Sequence, residues 1–234
     1  TLSFFPLVFI ICMSFYIDMD LYNKQSKLVD VKEIINLNEK ISLLLHETQK
    51  ERGITSAFLG TKGAKFKDTL ITQKELTNKN IEEFKKTINK ISVEKYPENG
   101  KNLIDNVLKE LSSIQNIRSD VDSLAIDAKK AIAYYTDLNA TLLSFVALTS
   151  TIADSESTIK SIIAYYNFLM AKERAGIERA VGSNTFASKT FASGMFVKYL
   201  GLVNEQKIFF DAFFMYVGEN KTFFNEKINH PGIQ

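Results

Sequence analysis

The chain has 234 residues, 45% of them hydrophobic and 24% charged, which is enough for a folded core and excludes wholesale disorder. Its net charge of +2, with lysines scattered among acidic residues, argues against a nucleic-acid partner. A single cysteine, Cys12, excludes an internal disulfide, and two histidines, His46 and His230, are too few for a His-based metal site or catalytic triad. Because no Gly-rich phosphate loop is present either, we expect no enzyme activity, no cofactor and no metal.

The chain begins with an apolar run, residues 1–17, that contains no charged side chain. A membrane span needs about 20 apolar residues, so we expect a transmembrane helix whose first residues are missing, since the chain lacks an initiator Met. A signal-peptide core and a buried helix are the alternatives, but no small-x-small cleavage site follows the run. The sequence therefore predicts a truncated membrane helix at 1–17 and a helical domain at 18–230.

Helical periodicity runs through the rest of the chain, where apolar residues recur every three or four positions. Long stretches lack Pro and Gly, as helices require, and strand-like alternation never lasts more than a few residues. The first helix should continue from the apolar run without a break and end near Gly60–Gly63. The expected helices span about 18–59, 65–92, 101–125, 127–153, 156–181 and 195–217, with a short amphipathic segment around Phe223. This pattern predicts an all-α fold of antiparallel helices packed as bundles.

Two local signals divide this helical region. Tyr96–Gly100 is the clearest turn, because it contains Pro97 and an Asn-Gly pair, and it is the one plausible boundary between two halves. Asp127 stands where it can cap the following helix. The aromatic pairs at 134–135 and 165–166 are interpreted as core residues, because large aromatic side chains usually carry packing.

Arginine usage is the strongest functional signal in the sequence. Only four of the 29 basic residues are Arg, at positions 52, 118, 174 and 179. Arg presents a planar fork of donors that binds flat oxyanions in a bidentate way, which a Lys ammonium cannot do. Three of the four lie in the related phrases Gln49–Gly53 and Lys172–Arg179. The hypothesis is an anion site built from arginines on different helices.

The residues one helical turn away from Arg52 are polar and those around Arg179 are small, which suits neither an apolar core nor a charged surface. A Gly inside a helix costs about 1 kcal/mol relative to Ala, so Gly176 indicates close helix approach or room for a small ligand. Lys172 and Arg179 share one helix face, whereas Arg174 and Arg179 do not. The secondary candidates for the site are Gln49, Thr55, Ser56, Arg174 and Gly176.

A competing interpretation needs no ligand. A buried guanidinium must be neutralised, and Glu51, Glu173 and Glu178 could do this in an Arg/Glu network that joins two helices. Arg118 has a simpler alternative, a surface ion pair with Asp122 one turn further on. The residues alone leave both the anion site and the ion-pair network open.

Several short phrases, in their order and spacing, together resemble the nitrate- and nitrite-sensing domain, called the NIT domain. They are LHETQKERGITSAFLG at 45–60, IRSDV at 117–121, YYTDLN at 134–139 and KERAGIERA at 172–180, followed by the helix 206–213. The resemblance covers about 30–224. One departure is Glu51, because the first motif of the family can carry two adjacent arginines.

Members of that family are helical sensor domains of bacterial chemoreceptors, kinases, cyclases and a transcription antiterminator. The resemblance implies two stacked four-helix bundles of up-down helices, and nitrate or nitrite held by arginines from different helices. Carried over by position, it selects Arg52, Arg118 and Arg179 as ligand-binding residues. Arg174 is then expected to pair with Glu178, its neighbour one turn away.

The resulting hypothesis is a periplasmic sensor domain in a bacterial inner-membrane receptor, specifically a methyl-accepting chemotaxis protein. The residues 1–17 would anchor it, and 231–234 would begin the link to a second span and a downstream output domain. Anion capture would signal by displacing the first helix. The resemblance also implies a homodimer. The alternative is a ligand-free structural or protein-interaction bundle whose arginines are held in Arg/Glu ion pairs.

Overall fold

The computed structural model describes residues 4–91, 94, 96–188, 190–191, 193–218 and 221–228. Within these ranges the chain forms seven α-helices, one short 3₁₀ helix and no β-strand. The helices are α1 (Phe4–Gly60), α2 (Lys67–Ile88), α3 (Glu98–Asp122), α4 (Ala128–Thr149), α5 (Glu156–Ser188), α6 (Met195–Tyr216) and α7 (Lys221–Ile228), with the 3₁₀ helix at Ser150–Ile152. The prediction of an all-α protein is confirmed.

The first helix is a single element of 57 residues, as the uninterrupted periodicity predicted. It ends at Gly60, and the following turn places Lys62 and Gly63 at φ 51° and 79°. Gly63 tolerates this left-handed backbone because it has no Cβ, and its N–H closes the turn on the Phe58 carbonyl at 3.0 Å. The predicted stop at Gly60–Gly63 is therefore confirmed.

The start of α4 also follows its sequence signal. Asp127 has extended backbone, and its side chain accepts a hydrogen bond from the Lys130 N–H at 2.9 Å. This is the geometry of an N-cap, which satisfies a donor that the first turn of a helix leaves free. The predicted cap is confirmed.

The predicted turn at Tyr96–Gly100 is only partly correct. Pro97 precedes α3, but Asn99 and Gly100 lie in the first turn of that helix. Gly100 is buried, and a Cβ at this position would lie 2.7 Å from Leu148 Cδ2 of α4. Gly is therefore required here by close helix approach and not by a reversal of the chain.

The fifth helix is longer than expected, since α5 ends at Ser188 and not near Val181. Gly182, directly after the expected end of this helix, lies inside it and is buried, and a Cβ there would meet Tyr199 of α6 at 3.7 Å. Packing of α5 along α6 outweighs the weak helix propensity of Gly, about 1 kcal/mol relative to Ala.

The main core lies between α1, α2, α3 and α4, which pack as a four-helix bundle. All four helices contribute fully buried apolar side chains, and α5 adds Leu169. Representative core residues are Leu37, Ile41, Leu44, Phe84, Val107, Leu138 and Phe145. A smaller cluster of Phe58, Leu70, Val121 and Ala131 lies near the end of α1.

A second group of helices packs through aromatic side chains. Phe168 of α5 lies 5.7 Å from Phe213 of α6 and 5.8 Å from Phe224 of α7, measured between ring centroids. Phe213 and Phe224 are 4.6 Å apart. The long helix pair α5 and α6, closed by α7, therefore forms its own packing unit beside the first bundle.

The structure provides only weak evidence for the predicted membrane helix. By length and composition one described segment is apolar enough to cross a membrane, Ala128–Ile152, and 50% of its most apolar window is buried, as in the core helix of a soluble bundle. In the predicted anchor at 1–17, Phe9, Phe15 and Tyr16 are exposed on α1. Residues 1–3 of that anchor, His230 and the predicted link at 231–234 lie outside the described residues. The anchor stays a prediction.

Candidate functional site

One turn of α1 lies at the centre of the polar interior. Glu51 and Arg52 are both buried, at 0% and 2% exposure, and they follow one another in the chain. Successive residues of a helix point about 100° apart, so these two opposite charges face different neighbouring helices. Each charge finds a partner of opposite sign there, and two separate hydrogen-bonded networks result.

The first, the Arg118 network, consists of Arg118, Glu51, Tyr135 and Asn78. Arg118 of α3 binds Glu51 in a bidentate way, with Nε donating to Oε1 at 2.7 Å and Nη2 donating to Oε2 at 2.8 Å. Its Nη1 donates to Asn78 Oδ1 of α2 at 2.6 Å, and the Tyr135 hydroxyl of α4 donates to Glu51 Oε1 at 2.7 Å. This network therefore ties together all four helices of the first bundle.

Burial and the Glu51 carboxylate shift the pKa values of Arg118 and Tyr135 in this network. Although burial alone would lower it, the hydrogen bonds and negative charge of Glu51 raise the pKa of Arg118. Burial, reinforced by the Glu51 carboxylate, raises the pKa of the Tyr135 hydroxyl, so Tyr135 remains a donor. The predicted surface pair of Arg118 with Asp122 is wrong, because Asp122 instead accepts from Lys74 at 2.6 Å.

The second, the Arg52 network, consists of Arg52, Glu173, Gln49, Asn139 and Thr136. Arg52 donates from Nη1 to Glu173 Oε1 at 2.5 Å and from Nη2 to Glu173 Oε2 at 3.3 Å, and Nη1 also reaches Thr136 Oγ1 at 3.1 Å. Gln49 Nε2 and Asn139 Nδ2 donate to Glu173 Oε2 at 2.6 and 3.4 Å. Donors from α1 and α4 thus converge on one carboxylate of α5, which is 2% exposed.

Small residues shape the contact between α1 and α5 at this point. A Cβ at Gly176 would lie 3.2 Å from Arg52 Nη2, so a larger side chain there would press on the guanidinium. Gly53 is exposed, and a Cβ there would meet no atom within 4 Å. Gly176 therefore gives Arg52 room against α5, and open space adjoins Gly53.

Positive charge lies at the solvent edge of this contact. Lys172 Nζ lies 3.2 Å from His46 Nδ1. Burial and the charge of Lys172 lower the pKa of His46, so a neutral imidazole faces the ammonium. Burial lowers the pKa of Lys172, and the positive charge of Arg179 adds to this, while Glu173 and Glu47 act in the opposite direction.

The three predicted ligand-binding arginines differ in burial and in their partners. Arg52 and Arg118 are buried on two sides of the same turn of α1, each paired with a glutamate. Arg179 is exposed on α5 and belongs to neither network. The Arg/Glu pairs that the sequence offered as an alternative are therefore present for two of the three.

The secondary candidates for the site also differ in whether they contact the Arg52 network. Gln49 and Gly176 contact the Arg52 network, Thr55 is buried on the same turn, and Ser56 is half-buried. The predicted pair of Arg174 with Glu178 is wrong. Arg174 instead pairs with Glu205 of α6 at 2.6 Å and lies 5.7 Å above the Phe209 ring, while Glu178 accepts from Gln206. The approach of α6 brings these partners closer than the helix's own next turn.

Sequence reasoning missed four polar residues of the two networks. In the sequence, Tyr135, Thr136 and Asn139 are marked only as part of a family motif or as core aromatics. The signal available there is an aromatic residue with polar residues next to it and one turn later, which is typical of polar side chains that face the interior of a bundle. Asn78 carries no signal in the sequence, because it lies among exposed polar residues of α2. Among the described residues, no group of three His, Cys, Asp or Glu is arranged to hold a metal.

Comparison with known proteins identifies the family. The family profile named NIT, described as nitrate and nitrite sensing, matches residues 43–234. The chain belongs to the NIT family. Membership in a sensing family supports the prediction that the chain is not an enzyme.

Structural comparison gives the same fold for this NIT domain. The solved structure of the NasR transcription antiterminator superposes with a TM-score of 0.77 at 21% sequence identity. The match covers 88% of this chain and 57% of that one, so the NIT domain described here corresponds to somewhat more than half of NasR. A search of curated proteins found no match.

Proposed function

We propose that this NIT domain senses nitrate or nitrite by holding the anion where α1 contacts α5, with Arg52 as the central ligand. The observation that carries the proposal is the Arg52 network, in which a buried guanidinium and two side-chain amides converge on one flat, negatively charged group. Nitrate and nitrite are also flat anions with oxygen acceptors, so the same donors suit them. Membership in a nitrate- and nitrite-sensing family supports this choice of ligand.

The other two arginines have different roles in this proposal. Arg118 supports the site, because its bidentate bond to Glu51 holds the turn of α1 that presents Arg52. Arg179 is exposed and adds positive charge beside Lys172, where it would attract an anion from solvent. Arg52 is thus the direct ligand, Arg118 fixes its position and Arg179 favours approach.

Signalling would follow from a change in how α5 packs on α1. Since α1 is continuous from Phe4 to Gly60, a shift near Arg52 reaches the apolar N-terminal part of the same helix. Coupling requires that the anion prefer one packing over the other, typically by about 1–3 kcal/mol.

The proposed cellular setting is a bacterial inner membrane, with residues 1–17 as the anchor and a periplasmic sensor in a chemotaxis receptor. Exposed apolar side chains near the start of α1, such as Phe9 and Phe15, support the anchor. A homodimer is part of the same proposal. Exposed apolar residues on α6, such as Val197 and Ile208, are suited to an interface.

A ligand-free structural bundle is the competing function, and the two buried Arg/Glu pairs favour it specifically. Calorimetric titration of the full 234-residue chain with nitrate and with nitrite separates the two. We expect heat of binding for at least one anion, and its loss in Arg52→Ala. The matched control is Arg174→Ala, which removes a partly exposed arginine paired with Glu205 and should bind like the parent chain.

Two outcomes would contradict the sensor. If neither anion produces heat with the parent chain, or if Arg52→Ala binds with unchanged affinity, the arginines serve the fold alone. Circular dichroism of each variant, compared with the parent chain, checks that the helices are intact.

A further inference from the structure

Glu173 occupies the centre of the proposed anion site. Its two carboxylate oxygens accept from Arg52, Gln49 and Asn139, at distances between 2.5 and 3.4 Å. The carboxylate is 2% exposed, and every one of these donors comes from α1 or α4 while Glu173 belongs to α5. The donor set of an oxyanion site is therefore already filled by an anion of the protein itself.

We propose that Glu173 is a built-in competitor for the ligand: its carboxylate occupies the anion's place in the ligand-free state, and nitrate or nitrite binds by displacing it. This inference rests on the proposed function and adds the residue that sets its affinity. A carboxylate and a nitrite ion are both bent, flat groups with two equivalent oxygens, and a fork of two N–H donors fits either of them.

Displacement is favoured over simultaneous binding by charge. Arg52 carries one positive charge, and Glu173 already neutralises it in a buried setting. A second anion in the same place would leave an uncompensated buried negative charge, which is strongly unfavourable. One of the two anions must therefore leave.

A cation is at hand to receive the displaced carboxylate. Lys172 precedes Glu173 in α5, is half-buried, and faces the neutral ring of His46 at 3.2 Å. Burial lowers the pKa of Lys172, and the negative charge of Glu173 acts in the opposite direction. A rotated Glu173 side chain would reach a positive charge close to solvent.

The exchange would also explain how binding reaches the rest of the molecule. The bond between Arg52 and Glu173 ties α1 to α5 in the ligand-free state. A free anion satisfies Arg52 without holding α5, so displacement of Glu173 releases that tie. Ligand binding and the change in helix packing become one event.

The test compares nitrate and nitrite affinity of the full chain with that of Glu173→Gln, by calorimetry. Removing the competitor should tighten binding by about tenfold or more, because the site is no longer occupied in the free protein. Glu178→Gln is the matched control on the same helix, since Glu178 accepts from Gln206 outside the Arg52 network, and its affinity should not change.

The outcomes distinguish this inference from the sensor function. If the parent chain binds and Glu173→Gln binds equally or more weakly, the competitor is disproved and the sensor stands. If only Glu173→Gln binds, the anions do not displace Glu173 from the parent chain, and both the displacement and the sensor function are contradicted. If none of the three proteins binds either anion, both proposals fail.

A second measurement observes the displacement of Glu173 in the parent chain itself. Glutamate side chains labelled with ¹³C at the carboxyl carbon report their surroundings by NMR. In the parent chain, saturating nitrate should move one buried carboxyl resonance, the one absent from Glu173→Gln or from Glu173→Asp. If nitrate binds and that resonance stays in place, Glu173 is not displaced.

Discussion

At the scale of single residues, the four arginines of this chain have four different environments. Arg118 is buried and bound in a bidentate way, and Arg52 is buried and shares its glutamate with two amides. Arg174 is partly exposed against Glu205 and Phe209, and Arg179 is exposed. The same side chain therefore serves as structural tie, candidate ligand, surface contact and source of charge, according to the helix that approaches it.

The clearest prediction at the scale of residues concerns the ion pair of Arg118 with Glu51. Arg118→Ala would leave Glu51 as an unpaired charge at 0% exposure, so we expect a loss of about 3–5 kcal/mol in the free energy of unfolding. Urea unfolding followed by circular dichroism measures it. Arg174→Ala is the control and should cost no more than about 1 kcal/mol, because its pair with Glu205 is partly solvated. A loss below about 1 kcal/mol for Arg118→Ala would show that water or another cation compensates Glu51.

Glu51 also acquires a physical meaning at this scale. The sequence marked it as a departure from a family motif that can carry two adjacent arginines. In the structure it neutralises Arg118 through a bidentate ion pair, and it also accepts a hydrogen bond from Tyr135. The acid next to Arg52 thus pairs with Arg118, while Arg52 is the buried arginine of the α1–α5 contact.

At the scale of elements, close helix approach decides where glycine is needed. Gly100 begins α3 against α4, and an added Cβ would lie 2.7 Å from Leu148 Cδ2 and 3.1 Å from Tyr96 Cβ. The Leu148 methyl can move, but the Tyr96 Cβ is fixed to its backbone. The close packing at the start of α3 therefore depends on the absence of a side chain at Gly100, although Gly has a low helix propensity.

The corresponding prediction is that Gly100→Ala lowers stability although Ala favours helices. Overpacking of a core typically costs about 1–3 kcal/mol, which exceeds the gain of about 1 kcal/mol from helix propensity. We expect a fall of about 2–8 °C in the melting temperature, measured by calorimetry or circular dichroism. Gly201→Ala in α6, where a Cβ would meet no atom within 4 Å, should instead raise it. Equal shifts in the two variants would mean that α3 and α4 separate easily at Gly100.

At the scale of the whole molecule, the two ends of α1 have different surroundings. Its C-terminal half lies in the first bundle, with Leu37, Ile41 and Leu44 fully buried. Towards its start, Phe9 and Phe15 are each 66% exposed. A cluster of exposed large apolar side chains is unusual for a surface in contact with water. A single continuous helix thus joins a packed core to exposed apolar side chains.

We therefore expect the full chain to sediment with phospholipid vesicles, and the double variant Phe9→Asp/Phe15→Asp to remain in the supernatant. Each charge placed within a membrane span costs about 2.5–3.5 kcal/mol. The control Phe196→Asp/Val197→Asp introduces the same charges on exposed apolar residues of α6 and should still sediment. Sedimentation lost only in the α6 variant would place the lipid-binding surface on α6, and no sedimentation of the parent chain would contradict the anchor.

The sequence by itself determined the helices and most of their limits. The α1 helix, its stop at Gly60 and the cap at Asp127 follow from periodicity, glycine and a side-chain acceptor, all of which act within a few residues. The family could also be predicted from the sequence. Each short phrase is degenerate by itself, but the phrases occur in the order and with the spacing of the family. Local chemistry is sufficient for features whose energy is local.

Only the tertiary structure decided the partners of the charges. Arg118 meets a glutamate 67 residues away in the chain and Arg52 one 121 residues away, and neither distance is encoded in helix periodicity. The local pairs expected of Arg118 and Arg174 at one helical turn gave way to partners on other helices. For Arg118 the reason is burial, which makes a fully bonded ion pair necessary, and for Arg174 it is the approach of α6, which brings Glu205 to it. The proposed site is therefore a property of how α1, α4 and α5 approach one another, and the central position of Glu173 follows only from that packing.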